Sequence, residues 1–270
     1  MKLNQKAVLL TGASGGIGRC LTRELVRHGA RLALAGRNES ELSELAQRVN
    51  ADGGVAVTLP IDLSEPSSHA ALVERAEAAL GCIDVLVNNA GLSSFGPFYA
   101  EDDAAIRRII DVNLTAPMLL VRAALPGMLR RRRGHIVNVG SAFGSIAFPD
   151  FAVYSTTKFA LRGFSEALRR ELVGSGVRIT YVAPRTTDTT MNTQAVRAFV
   201  ARTGAAMDRP ETVAQLITNA IEQDRSEVYI GWPERLLVRV NAVVPRLLDW
   251  FLAGKTGSPV VPLERADTSG

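Results

Sequence analysis

Tyr154 and Lys158 stand four residues apart in a stretch patterned as a helix. Residues at that spacing share a helical face, which brings an ammonium beneath a phenol oxygen. A phenol normally holds its proton to about pH 10, and a neighbouring positive charge lowers that value. So tuned, it can exchange a proton with an alcohol or carbonyl oxygen near neutrality. The spacing alone would equally describe a partly exposed tyrosine above a solvated lysine. What separates the two readings is the set of elements that would have to position the pair.

The first of these begins at Lys6. Ala7, Val8, Leu9 and Leu10 form a short unbroken apolar run, the pattern of a buried strand. It leads directly into Thr11, Gly12, Ala13, Ser14, Gly15, Gly16, Ile17 and Gly18, and then into an amphipathic segment with Cys20, Leu21, Leu25 and Val26 on its apolar side. Strand, glycine turn and helix in that order predict a dinucleotide site. Glycines let the backbone approach a pyrophosphate, whose charge rests on the free N–H groups of the helix start.

The glycine spacing, T-G-x-x-x-G-x-G through Gly12, Gly16 and Gly18, resembles that of the short-chain dehydrogenase/reductase family. Further pieces follow in the family's order: Asn88-Asn89-Ala90-Gly91 closing a fourth strand (Asp84 to Val87), Asn113 in the next helix, and Ser141 ending the fifth strand thirteen positions before Tyr154. The resemblance runs from about Lys6 to about Gly231. It implies that Tyr154 is the general acid/base and that Lys158 lowers its pKa and holds the nicotinamide ribose. It further implies that Ser141 hydrogen-bonds the substrate oxygen, and that Asn113 holds a water linking Lys158 to solvent. Hydride transfer to a carbonyl carbon builds negative charge on oxygen, which two hydroxyl donors would meet. Singly, Ser141 could merely cap a helix and Asn113 satisfy buried backbone.

Cofactor contacts are expected from Gly12, Ser14, Gly15, Gly16, Ile17 and Gly18, from Asn89, Ala90 and Gly91, and from Tyr154 and Lys158. Pro184 and Thr189 complete the nicotinamide end, and Asp62 with Leu63 the adenine end, although Asp62 before Ser64 also fits a turn and cap. At the end of the second strand (Arg31 to Gly36) the usual ribose-binding acid is replaced by Gly36, and Arg37 follows. An arginine there accommodates a 2′-phosphate, so NADP(H) is favoured over NAD(H). One departure stands out after the sixth strand (Val177 to Val182). Relatives carry Pro-Gly, an aliphatic residue and a threonine; this chain reads Pro184, Arg185, Thr186, Thr187, Asp188, Thr189. Arg185 is expected to project into the cleft and, with Ser141, Phe143 and Tyr154, to contact substrate.

Strands near 6–10, 31–36, 55–59, 83–87, 134–141, 177–182 and 227–231 alternate with helical patterns. They predict an α/β fold, a doubly wound, Rossmann-type, seven-stranded parallel sheet with helices on both faces. The 270 residues, 47% of them hydrophobic, can fill such a layered core. One catalytic domain is expected over 1–231, with a substrate lid near 186–208 carrying Met191, Val196, Phe199, Val200 and Met207. Phe95, Phe98, Phe143, Phe148 and Phe151 fall in loops beside it and predict an apolar pocket. A C-terminal amphipathic extension over 232–255, divided at Pro245, could cover the cleft, pack on another subunit or lie on a membrane surface, in that order of preference. Residues 256–270 read as a disordered tail.

Cys20 and Cys82 have no partners at metal spacing and read as buried thiols of a cytoplasmic protein; His28, His69 and His135 are scattered, so no metal is expected. The first residues lead straight into a core strand, and no signal peptide is expected. The net charge of +4 and the run Arg130 to Arg133 do not predict nucleic-acid binding, because the run closes a helix and lacks aromatic neighbours. The resemblance implies a homo-oligomer, dimer or tetramer, through helices near 101–132 and 151–173. The reading is an NADPH-dependent reductase of a carbonyl, ketone or 3-oxoacyl, on a medium or large apolar substrate. The alternative is a non-catalytic NADP(H)-responsive sensor.

Overall fold

Seven apolar runs become strands: β1 (Ala7–Thr11), β2 (Arg31–Gly36), β3 (Val55–Pro60), β4 (Val85–Asn88), β5 (Gly134–Val139), β6 (Val177–Ala183) and β7 (Glu227–Tyr229). In this computed structural model, which describes residues 1–246, they form one parallel sheet in the order β3-β2-β1-β4-β5-β6-β7. Parallel pairing needs a crossover after each strand. Most of these are helices: α1 (Gly16–Arg27), α2 (Glu39–Ala51), α3 (Ser68–Leu80), α4 (Asp103–Ile110), α5 (Ala116–Arg130), α6 (Ala152–Glu171), α7 (Gln194–Thr203) and α8 (Pro210–Glu222), with α9 (Trp232–Val243) following β7.

The alternation of side chains along each strand divides the core into two layers. Val8, Leu10, Leu32, Leu34 and Val87 face α1, α2 and α8. Leu9, Ala33, Leu86, Ile136 and Ile179 face α3, α5 and α6. The strand order reverses between β1 and β4, and in such sheets ligands bind in the crevice beyond the strand ends at that point. The expected architecture is therefore found, with strand bounds moved by one or two residues: β4 runs through Asn88, and β5 stops at Val139, leaving Ser141 in the following loop.

α4 and α5 are joined by a π-helical turn, Asp111–Thr115, in which Ala116 N–H reaches back to the Asp111 carbonyl. The continuous helix, Asp103–Arg130, is long and apolar enough to cross a membrane by composition. Its buried face, with Leu120, Val121, Ala124 and Met128, instead belongs to the core beside α3. The arginine run at its end is partly structural: Arg131 donates to the Ile83 carbonyl and Arg133 pairs with Asp84 at 2.9 Å. His135 is fully buried, bonded to Thr180 Oγ1 at 2.7 Å, and pushed down to about 4 by burial. Cys20 is buried as expected, whereas Cys82 is only partly so.

α9 ends one residue before Val244 and two before Pro245, where proline forbids continuation. The later part of the expected extension, from Leu247 to Lys255, and the tail at 256–270 lie outside the described residues.

Asp84 joins the layers at the lower end of the sheet. Its carboxylate, almost wholly buried, accepts from the Ala7 N–H at 3.1 Å and from Arg133. Asp84→Ala strands that buried N–H, and a loss of roughly 2 kcal/mol is expected. Urea unfolding should show a lower midpoint at unchanged slope; a midpoint identical to that of the wild type would contradict this role.

Candidate active site

The turn between β1 and α1 is built so that no side chain fills it. Gly12 takes φ +64°, and a Cβ there would press on Ala90 Cα. A Cβ on Gly18 would overlap the Gly12 carbonyl oxygen, and one on Gly16 would collide with the Thr189 side chain. Backbone and a helix N-terminus thus form the floor, the arrangement that accepts a pyrophosphate. The loop after β4 is fixed to it: Thr11 Oγ1 accepts from the N–H groups of Asn89 and Ala90, at 3.0 and 3.1 Å. Asn89 spends its amide on the carbonyls of Thr11 and Gly12, so its side chain braces the cradle, leaving its backbone to face the cleft.

One cleft of roughly 720 Å³ runs from this floor in both directions. Its lining includes every position expected at the cofactor, among them Ser14, Gly15, Ile17, Leu63, Gly91 and Pro184. At one end lie Gly36, Arg37 and Asp62. Asp62 is less free than the sequence suggests. Oδ1 accepts from the N–H and hydroxyl of Ser64, and Oδ2 from Arg108 at 3.0 Å. The Ser64 bonds, with Arg108 and Arg37 nearby, hold its carboxyl below the usual range. Glu41 also borders this end but pairs with Arg19 at 2.8 Å. Neither residue was legible in the sequence, because Arg108 meets Asp62 from α4 and Glu41 borders the cleft from α2, and only packing sets those helix registers.

Toward the other end, α6 presents Tyr154 and Lys158 on one face, with Lys158 Nζ 5.6 Å from the Tyr154 ring centroid. Lys158 is 4% exposed, and its ammonium donates to the Val139 carbonyl at 3.0 Å. Thr157 Oγ1 bonds back to the Tyr154 carbonyl and accepts from Asn113 at 3.1 Å. Asn113, swung inward by the π turn, also exchanges hydrogen bonds with the Leu92 backbone. Most of its capacity is therefore structural. A Cβ added to Gly91 would nevertheless lie 3.5 Å from Asn113 Oδ1 and 3.6 Å from Lys158 Nζ, so both groups border the same glycine. Ser141 caps the 3₁₀ turn Ala142–Gly144 by accepting from Phe143 N–H at 3.1 Å, and its hydroxyl is also within reach of Tyr154. The capping role and the place beside the phenol are held by the same residue.

The charge balance differs from the sequence expectation. Burial pushes Lys158 down to about 8, with no carboxylate partner among the described residues. Burial likewise pushes the Tyr154 phenol up, and the Ser141 hydrogen bond offsets only part of that. The expected lowering of Tyr154 by Lys158 is absent for a simple reason. Burial of the whole pair outweighs the attraction that the four-residue spacing would supply.

Tyr181, on β6, was missed by sequence reasoning. Its ring occupies the space left by Gly140 and Gly144, and its hydroxyl donates to the Ser141 carbonyl at 3.3 Å while facing the Ser141 N–H at 3.4 Å. It fixes the serine loop from below. A tyrosine inside a strand carries no sequence signal beyond core packing.

The remaining wall is aromatic. Phe143 stacks on Phe148 with centroids 4.6 Å apart, and Phe151 meets Phe95, Phe143 and Phe199 at 4.9, 5.0 and 5.8 Å. Phe199, Val196 and Val200 come from α7, so the expected lid segment is a helix seated on this cluster. Phe98 does not join it; it is 62% exposed on a 3₁₀ turn. Arg185 borders the cleft, as expected, but its guanidinium is engaged. It binds Asp208 in bidentate fashion at 3.0 and 2.7 Å and approaches Glu234 of α9 at 3.5 Å. Its φ is not positive, so the backbone here differs from a glycine turn and the arginine is accommodated without that strain.

Among the described residues no group of three or more His, Cys, Asp or Glu is placed to hold a metal. Residues 6–199 match the family described as short chain dehydrogenase. The ketoacyl reductase HetN of Nostoc sp. is 36% identical over 92% of this chain and 90% of its own length. The dehydrogenase/reductase SDR family member 7B of Bos taurus is 32% identical over 92% and 80%. A metagenomic short-chain oxidoreductase solved in complex with NADP superposes with a TM-score of 0.73 at 33% identity, covering 86% of this chain and all of that one. A Burkholderia phymatum short-chain dehydrogenase/reductase solved with NAD shares the fold, with a TM-score of 0.83 at 23% identity over 92% and 96%. With this fold, this glycine turn and these relatives, the chain belongs to the short-chain dehydrogenase/reductase family of oxidoreductases.

Proposed function

We propose that this oxidoreductase uses NADP(H) to reduce the carbonyl of a medium or large apolar substrate, a ketone or a 3-oxoacyl compound. The observation that carries the reading is the continuity of one cleft: glycine floor at its centre, Tyr154 and Ser141 hydroxyls beyond it, and an aromatic wall next to those hydroxyls. The Nostoc relative described as a ketoacyl reductase supports the substrate class. The cofactor preference rests on Gly36 and Arg37, with no free carboxylate at the end of β2.

The cofactor is fitted by the side-chain-free floor at Gly12, Gly16 and Gly18, by Arg37 at its phosphate end, and by Lys158 at its ribose end. When bound, the nicotinamide supplies the hydride. Ser141 and Tyr154 then hold the substrate oxygen with two hydroxyls, and Tyr154 gives its proton to that oxygen as charge develops there. Lys158, protonated below about pH 8, stabilises the phenolate left behind and returns a proton to it. Its replacement would come from the side of Gly91, where Asn113 Oδ1 and Lys158 Nζ both border that glycine.

We also infer a homo-oligomer on the outer faces of α5 and α6, supported by exposed Met118, Leu129 and Phe159; a monomer at all concentrations in sedimentation equilibrium would remove this part. The unpaired Cys20 and Cys82 support a reducing, cytoplasmic setting.

Two measurements test the redox reading. Nucleotide oxidation is followed with ketones and 3-oxoacyl thioesters of graded chain length. Tyr154→Phe should lose about 10²-fold or more in kcat while binding NADPH nearly as the wild type does. A wild-type protein that binds NADPH yet turns over nothing in the panel would favour a nucleotide sensor. Arg37→Ser should weaken NADPH roughly 10–100-fold and leave NADH unchanged, since one charge-assisted contact to a 2′-phosphate is removed. Equal loss for both nucleotides would contradict the preference.

A further inference from the structure

α9 has two dissimilar faces. The inner one carries Glu234, Leu237, Val238 and Asn241. Leu237 and Val238 pack among Ile146, Phe148 and Tyr229, Asn241 donates to the Ser145 carbonyl at 2.8 Å, and Glu234 meets Arg185. This face is fully occupied by the rim of the cleft. The opposite face, at helical spacings of four, seven and eleven from its first residue, presents Trp232, Leu236, Arg239 and Val243, with Arg235 beside them. Trp232 is 76% exposed, and Leu236 and Val243 are also open to solvent. A helix whose buried face is already satisfied has no folding reason to carry a second apolar stripe.

We propose that this outer face of α9 seats the protein on an anionic membrane surface. The charge on the helix selects the occupant. Between Trp232 and Arg246 the only acidic residue is Glu234, and it is turned inward to Arg185; Arg235, Arg239 and Arg246 are all exposed. An apolar stripe headed by tryptophan and flanked by cations without acids is the pattern of a helix lying in a lipid headgroup layer. Among the described residues, two further strongly exposed aromatic side chains agree in position. Phe98 and Tyr99 lie in the loop after β4, on the same carboxyl edge of the sheet from which α9 departs after β7. Aromatic residues at one rim suit the interfacial layer of a bilayer. Docked this way, the cleft wall at Arg185 stands one helix diameter, about 10 Å, from the lipid. That is a short route for an apolar substrate. The proposal does not depend on the redox reading.

The full-length protein is tested by co-sedimentation with vesicles of phosphatidylcholine alone and of phosphatidylcholine with phosphatidylglycerol, at low and high salt. Binding is expected to the anionic vesicles, weakening with salt and accompanied by a blue shift of tryptophan emission. The pair Trp232→Glu with Leu236→Glu should reduce partitioning at least about tenfold with circular dichroism and melting unchanged. Arg235→Ser with Arg239→Ser should remove most of the salt-dependent share. No partitioning of the wild type, or equal partitioning of the Glu pair, would overturn the proposal. So would a wild-type dimer that dissociates in the Glu pair, since it would assign the face to a second copy of the chain.

Discussion

A lysine ammonium held in the interior, with no carboxylate partner among the described residues, is the constraint around which the site is arranged. Lys158 lies almost fully buried, with the Val139 carbonyl as its hydrogen-bond partner. An unfolded lysine keeps its proton to about 10.5, and burial moves this one to about 8. Below pH 8 the folded protein therefore carries a burial cost of roughly 3 kcal/mol, and stability rises with pH from about 8 toward 10.5, where the unfolded chain binds more protons. Such a cost has to be offset by the surrounding framework. β5 must end where its carbonyl meets the ammonium, and α6 must pack against the sheet. The Thr157–Asn113 bond ties α6 to the π turn between α4 and α5.

The same constraint orders the chemistry. A charged lysine beside Tyr154 would stabilise a phenolate there, whereas burial opens a gap by raising the phenol and lowering the lysine from their ordinary values. Ser141 narrows that gap by hydrogen bonding, and Tyr181 holds the serine loop in place by filling the space beside Gly140 and Gly144. The phenol, the second hydroxyl and the ammonium are thus kept together by contacts that come from β5, β6 and α6 at once.

Much of this was legible in the chain because its signals are local. The glycine turn, the four-residue spacing of Tyr154 and Lys158, and the apolar runs each follow from backbone sterics or periodicity. What could not be read depends on which elements meet. Asp62 is engaged by Arg108 from 46 residues away, Arg185 is claimed by Asp208 and Glu234, and Phe98 turns away from the cluster its neighbours form. Arg185 is the clearest example. Its type departs from the family pattern, yet its role emerges only when the strap after β6, the segment before α8 and the start of α9 converge on it. Tyr154 is raised rather than lowered for a similar reason: helical spacing fixes distance, but burial sets the direction of the shift.

The most direct test is an NMR titration of the Lys158 side-chain amine in isotopically labelled protein without added nucleotide, assigned with Lys158→Arg. The account predicts a transition near pH 8. A transition at the solvent value near 10.5 would mean that the ammonium is hydrated, and would contradict the buried-cation basis of the site.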